Sequence, residues 1–223
     1  GAIPIGAPGN MAVTLSVTSP AGDTMHRLVR LPVAGVEFPT EQLTVDPRFA
    51  DEPDSALAER IRREARAARQ VSLRSHDTPR LWTEAFERPA GGEITSAFGT
   101  GRVFNRELQS RHWGVDFDGE TGDPVRAANR GVVALVGNFY YAGNVIYLDH
   151  GEGVVTVYMH LSDTLVARGD TVEAGQVIGR IGATGRVTGP HLHWAGRYGT
   201  VTANPLSLLE LSPTVLRTDG GGD

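Results

Sequence analysis

Between Glu93 and Trp194 the chain is cut into short runs of β-branched and aromatic residues, each closed by Gly, Asn or Asp. No window there repeats apolar residues at helical spacing. A chain written this way must satisfy its backbone by pairing strands, so the spacing predicts an all-β domain with tight turns. The expected strands are 125–126, 131–136, 144–148, 154–160, 171–172, 177–181 and 191–195.

The first ninety residues read differently. Residues 1–10 are rich in Gly and Pro and are expected to be a flexible leader. Two β-rich runs, 12–17 and 25–31, flank the turn cluster Ser19-Pro20-Ala21-Gly22-Asp23. Leu57, Ile61, Ala65 and Ala68 recur at helical spacing and predict a helix over 54–68, with Glu59/Arg63 and Arg60/Glu64 as i,i+4 pairs. The run Arg60, Arg62, Arg63, Arg66 and Arg69 reads as a solvated helix face rather than an anionic-polymer contact. Pro89-Ala90-Gly91-Gly92 marks a boundary. The expected organisation is a leader 1–10, a small β-rich domain 11–88 with one helix, a main β domain 93–210 and a flexible tail 211–223. The turn in Val172-Glu-Ala-Gly-Gln-Val-Ile-Gly179 reads as a hairpin of lipoyl-like type, a structural likeness only, because there is no Lys to modify.

Composition removes several function classes. Absence of Cys excludes disulfides, thiolate metal sites and a cysteine nucleophile. All 21 basic residues are Arg, which excludes a Schiff-base lysine and a P-loop lysine. A net charge of −5 argues against nucleic acid as a partner. The uncharged stretch 131–148 is interrupted by Gly137, Asn138, Gly143 and Asn144, so no membrane span is expected there. The sequence begins Gly-Ala-Ile-Pro, and any export signal or anchor lies outside it.

Five of the seven histidines fall between His112 and His193. Three patterns hold most of them: His112-Trp-Gly-Val-Asp116, His160 at the end of a β run, and His191-Leu-His193-Trp194. On a strand, residues i and i+2 share a face, so His191 and His193 point one way while Leu192 and Trp194 anchor the other. By the same alternation Thr156, Tyr158 and His160 share a face, which can bring His160 to the same groove. A catalytic zinc site takes three His or carboxylate ligands and leaves a position for water. His112, Asp116 and one of His191/His193 supply such a set, and the two remaining histidines can move a proton and hold an oxyanion. His150, in a turn, is assigned to structure. Trp113 and Trp194 are assigned to packing, with a groove role open to Trp113 alone.

The ensemble resembles the M23 family of zinc metallopeptidases, the lysostaphin-like and LytM-type peptidoglycan hydrolases. The matching stretches are Ile94-Thr-Ser-Ala-Phe-Gly99, Arg102-Val-Phe-Asn105, His112-Trp-Gly-Val-Asp-Phe117, Pro124-Val-Arg-Ala-Ala128 and Gly143-Asn-Val-Ile-Tyr-Leu-Asp-His-Gly151. They continue with Tyr158-Met-His-Leu161, Gly175-Gln-Val-Ile-Gly179, Thr184-Gly185 and Gly189-Pro-His-Leu-His-Trp194. The resemblance implies a mainly β, antiparallel-sheet peptidase domain of lipoyl-like, duplicated hybrid-motif type. It implies one Zn2+ per chain on His112, Asp116 and His193, with His160 and His191 as the catalytic pair. Trp113 departs from the small residue common in relatives and is expected to narrow one end of the groove.

The implied activity is hydrolysis of a stem or cross-link peptide bond in bacterial peptidoglycan, with D-Ala–diaminopimelate the favoured bond. The implied location is exported, in the periplasm or cell envelope, and residues 11–88 are expected to pack on or shield the groove. Two other readings are weighed. A catalytically silent LytM-type regulator of a separate amidase would have lost ligands that this chain keeps. A phosphoacceptor or carrier domain leaves His112 and Asp116 unexplained.

Overall fold

The computed structural model describes residues 5, 9–49, 52–104, 106 and 108–211. The leader 1–10 and tail 211–223 fall almost wholly outside these residues, as does Asn105. The chain opens on an antiparallel hairpin of β1 (Asn10–Thr18) and β2 (Thr24–Pro32), turned at Gly22, where a φ of 92° suits glycine. Next come β3 (Thr40–Leu43), α1 (Ser55–Arg74), β4 (Ile94–Ser96), β5 (Gly101–Phe104), β6 (Leu108–Arg111) and β7 (Val115–Asp118). Then follow β8 (Pro124–Arg126), β9 (Gly131–Phe139), β10 (Gly143–Gly151), β11 (Val154–Leu161), β12 (Asp163–Thr164) and β13 (Thr171–Val172). The described chain closes with β14 (Val177–Arg180), β15 (His191–Tyr198), β16 (Val201–Ala203) and the short α2 (Leu206–Leu209).

Every strand expected beyond Gly92 is present, and β9, β10 and β15 each run three residues past the expected end. The main sheet has the order β13-β9-β10-β11-β15-β7-β4, with β16 also on β15. Its ladders are antiparallel. A second sheet, β12-β14-β8, lies apart, and a third joins β5 to β6 and, in parallel, to β3. The expected 172–179 hairpin is corrected here. A tight turn closes at Glu173–Gln176 with Gly175 at φ 73°, but its flanking strands β13 and β14 pair into different sheets.

The helix begins where expected, because the Asp54 carboxylate accepts the Leu57 N–H at 2.8 Å as an N-cap. It runs six residues past the expected end, since Ala68, Val71 and Ser72 continue the face that packs on the sheet. Arg60 and Glu64 form the expected pair at 2.7 Å, whereas Glu59 pairs with Arg62 and Arg66 rather than Arg63. Although α1 and β3 precede Gly92, α1 packs against β9, β10 and β11, and β3 pairs with β5.

The main sheet buries both faces. One carries Val115, Phe117, Ile146, Leu148, Tyr158, Leu192 and Trp194 into the principal core with Val125, Ile178 and Ile181 of the second sheet. Phe117, Ile146, Leu148 and Leu192 are fully buried, each burial contributing roughly 1.5–3 kcal/mol. The other face carries Tyr147, Val155, Val157 and Ala195, a cluster that α1 joins through Ala68 and Val71.

His150 belongs to the first face, as the structural assignment expects. Its Nδ1 lies 2.8 Å from the Arg130 carbonyl and its Nε2 2.8 Å from Thr156 Oγ1, itself 2.9 Å from the Tyr158 hydroxyl. Complete burial lowers its pKa to about 4, against opposing pulls from the Arg130 carbonyl and the Asp149 charge. The unfolded chain therefore binds a proton that the folded chain refuses between pH 6.5 and 4. Stability should be intact above pH 6.5 and fall by on the order of 3 kcal/mol as pH drops through that window. Urea denaturation at pH 7 and pH 4.5 checks this, and the expected difference shrinks in His150→Gln.

Candidate metal centre and active site

The site is assembled by strand register. β15 pairs with β7 so that His193 stands opposite Asp116, while Trp194 and Leu192 face Val115 and Phe117 in the core. His193 and Asp116 therefore project together from the face opposite the core, on two central strands. His112 is tied just before β7, its N–H donating to the Thr100 carbonyl and its carbonyl accepting from Gly99 N–H, both at 2.8 Å. Gly114 completes the loop: a Cβ there would meet the Trp194 carbonyl at 2.5 Å and His193 Nε2 at 2.6 Å.

Three donor atoms converge on this face. His112 Nε2 is 2.9 Å from both Asp116 Oδ1 and His193 Nδ1, and these two are 2.8 Å apart. All three residues are buried. The opposite nitrogen of His112, Nδ1, is 2.9 Å from the Ala97 carbonyl, which places an N–H there and turns Nε2 towards the cluster. Burial disfavours the Asp116 charge, but hydrogen bonds from His112 and His193 outweigh it and hold the carboxyl far below its ordinary range. Burial also lowers the pKa of His193 against the pull of Asp116, so its imidazole is neutral. Two ring nitrogens and a carboxylate oxygen thus crowd about one point. A divalent cation serves all three at once, and the donor set of two nitrogens and a carboxylate suits zinc.

Asp116 Oδ2 is held by the Arg102 guanidinium, which also donates to Glu41 at 2.5 Å and to Ser96 Oγ at 3.1 Å. Sequence reasoning found Arg102 only as part of a matching stretch and missed Glu41 altogether. Both pack around the carboxylate through a pairing of β3 with β5 that no local pattern announces. Gly114 and Ser96 were likewise visible only inside matching stretches.

His191 and His160 flank the cluster. The His191 ring turns its Nδ1 to the Gly189 carbonyl at 2.9 Å and its Nε2 towards Asp116 Oδ1, 3.8 Å away. His160 turns its Nδ1 to the Thr184 carbonyl at 2.8 Å, with its ring 4.9 Å from that of His191 and 5.9 Å from that of His193. Strand alternation does not explain this. Thr156 and Tyr158, expected to share its face, point to the opposite side of the sheet. His160 escapes their face because its backbone is left-handed, with φ 65°, braced by its N–H donating to the Ala142 carbonyl at 2.9 Å. Burial, with the charges of His191 and His193, keeps its pKa well below the ordinary value. A cavity of about 260 Å3 opens over Asp116, His160 and His191, walled by the loop 186–190 and by Glu41 and Leu43 of β3.

Residues 110–205 match the family model described as Peptidase family M23. Over 83 residues the chain is 49% identical to the peptidoglycan DD-endopeptidase ShyA of Vibrio cholerae, an alignment covering 37% of this chain and 19% of that protein. The chain spans about a quarter or less of the length of the curated relatives it matches first. A crystal structure of a putative peptidase M23 from Pseudomonas aeruginosa superposes with a TM-score of 0.72 at 27% identity, covering 93% of this chain and 76% of that one. A zinc-containing peptidase from Vibrio cholerae superposes with a TM-score of 0.51 at 36% identity, covering 54% of this chain and 39% of that one. The His112–Asp116–His193 cluster thus lies within a peptidase M23 domain that the family model places over residues 110–205.

Proposed function

We propose that the protein is a zinc-dependent endopeptidase of bacterial peptidoglycan, acting in the cell envelope on stem or cross-link peptides, with the D-Ala–diaminopimelate bond as its target. The observation that carries this reading is the convergence of His112, Asp116 and His193 on one sheet face, beside two further histidines whose Nδ1 atoms are tied to carbonyls. The naming of ShyA as a peptidoglycan DD-endopeptidase supports the substrate class. The zinc-containing neighbour supports the metal. No observation favours the silent-regulator reading.

In this assignment His112, Asp116 and His193 hold the zinc, His160 and His191 are the catalytic pair, and Arg102 positions Asp116. Bound zinc supplies Lewis acidity and lowers the pKa of a coordinated water. The chain's own contribution is proton handling. With Nδ1 of His160 and of His191 committed to the Thr184 and Gly189 carbonyls, each ring keeps its Nε2 free for the chemistry. One takes the proton from the attacking water, steadies the developing oxyanion as an imidazolium, and gives the same proton to the departing amine nitrogen, while the other holds the water in place. The low proton affinity of buried His160 keeps it in the free-base form at neutral pH. The wall made by Glu41 and Leu43 gives residues 11–88 a part in shaping the cleft.

His193→Ala should lose stoichiometric zinc and activity together. His191→Ala should keep the metal while turnover falls by about 100-fold or more. Elemental analysis with chromatography of muropeptides released from purified sacculi reads both, and full activity of chelator-stripped protein would overturn the assignment. Gly114→Ala should push His193 aside and weaken zinc affinity by about 10-fold or more, measured by competition with a metal buffer.

A further inference from the structure

On the side of His193 away from the catalytic pair, the same sheet face carries a second depression. Register sets its floor: Met159 lies beside His193, the next row aligns Tyr147, Val157 and Ala195, and the row after aligns Val155 with Arg197. Ala195 stands between His193 and Arg197 on β15 and fills little of the space between them. The result is a cavity of about 450 Å3, lined by Tyr147, Val157, Met159, Ala195 and Arg197 and bounded by the half-exposed Trp113.

Arg197 is the anomaly. Its Nε is buried without a hydrogen-bond partner, and its side chain makes no ion pair with any described residue. Two carboxylates of this region are already committed. Asp149 lies across Val155 in the same row, but its Oδ1 is taken by Ser75 Oγ at 2.5 Å and Gly151 N–H at 2.9 Å, and its Oδ2 by Thr78 Oγ1 at 2.8 Å. Glu64 is held by Arg60 and by the Tyr140 N–H. A partly buried guanidinium without an internal anion is costly, and a bidentate carboxylate is the ligand its fork matches. Tyr147 adds a hydroxyl that burial keeps protonated, hence a donor.

We infer that Arg197, with Tyr147, forms a subsite for a free carboxylate of the peptide bound across the site. This rests on the peptidase reading and adds to it a specificity determinant. His193 and Arg197 are four residues apart on β15, about 13 Å between Cα atoms. The recognised carboxylate therefore sits about four residues along an extended chain from the scissile bond, with the intervening chain crossing the apolar floor beside Trp113. The subsite selects peptides by that charge and leaves the chemistry to the histidine cluster.

The test compares purified cross-linked muropeptide dimers as free acids with the same dimers carrying amidated carboxyls. The wild-type protein should show a KM about 10-fold lower for the free acid, with kcat within about two-fold. Arg197→Gln should abolish that preference by raising KM for the free acid alone, and Arg197→Lys should restore part of it. Ala195→Glu keeps Arg197 but supplies an internal anion and fills the depression, and it should abolish the preference too. Equal KM for the two forms in the wild type, or equal impairment of both by Arg197→Gln, would overturn the subsite. If the wild type cleaves neither form the peptidase reading fails. Calorimetric titration of the same two ligands then decides the subsite: tighter free-acid binding that disappears in Arg197→Gln upholds it, and equal binding rejects it.

Discussion

The pairing of His193 with Asp116 across two central strands is the constraint on which the rest of the site depends. Opposed residues on neighbouring antiparallel strands stand about 4.5–5.5 Å apart, so one ladder delivers a carboxylate and an imidazole to the same point without any loop having to close. The register is enforced from behind. Trp194, Leu192, Val115 and Phe117 alternate with the two ligands and are fully buried in the core, so a slip by one residue would bury the ligands and expose the aromatic anchors. The apolar core thus sets the geometry of a polar site that it never touches.

Around that pair the polar groups are arranged to settle proton positions. Backbone carbonyls of Ala97, Thr184 and Gly189 take the Nδ1 protons of His112, His160 and His191 and turn the other ring nitrogen inward. Burial keeps His160 and His193 neutral, and their hydrogen-bond neighbours keep Asp116 ionised. A site so prepared turns ring nitrogens and an ionised carboxylate to one point, as a cation site requires. Arg102 and Glu41 balance one another beside Asp116, joining a strand from before the helix to the site it borders.

The two cavities on either side of His193 differ in kind. The one over Asp116, His160 and His191 is bounded by loop 186–190 and polar side chains. The other is a shallow apolar floor that ends on Arg197. A peptide lying across both would meet the chemistry at one end and a selective charge at the other. The helix α1 packs against β9, β10 and β11 beside that floor.

Much of this was legible in the sequence because it is carried by local periodicity. Period-two alternation placed the strands, put His191 and His193 on one face and set Trp194 against the core, and helical spacing located the start of α1. Turn chemistry announced the break after Val172, but not that its flanking strands would enter different sheets, since strand partnership is a non-local choice. Alternation also misplaced His160, whose ring reaches the site through a left-handed backbone that packing imposes. The meeting of His112, Asp116 and His193 and the wall built by β3 were decided only when distant strands found their register. Residues far apart in sequence become ligands to one point through long-range pairing, and a one-dimensional pattern records the faces of strands but not their neighbours.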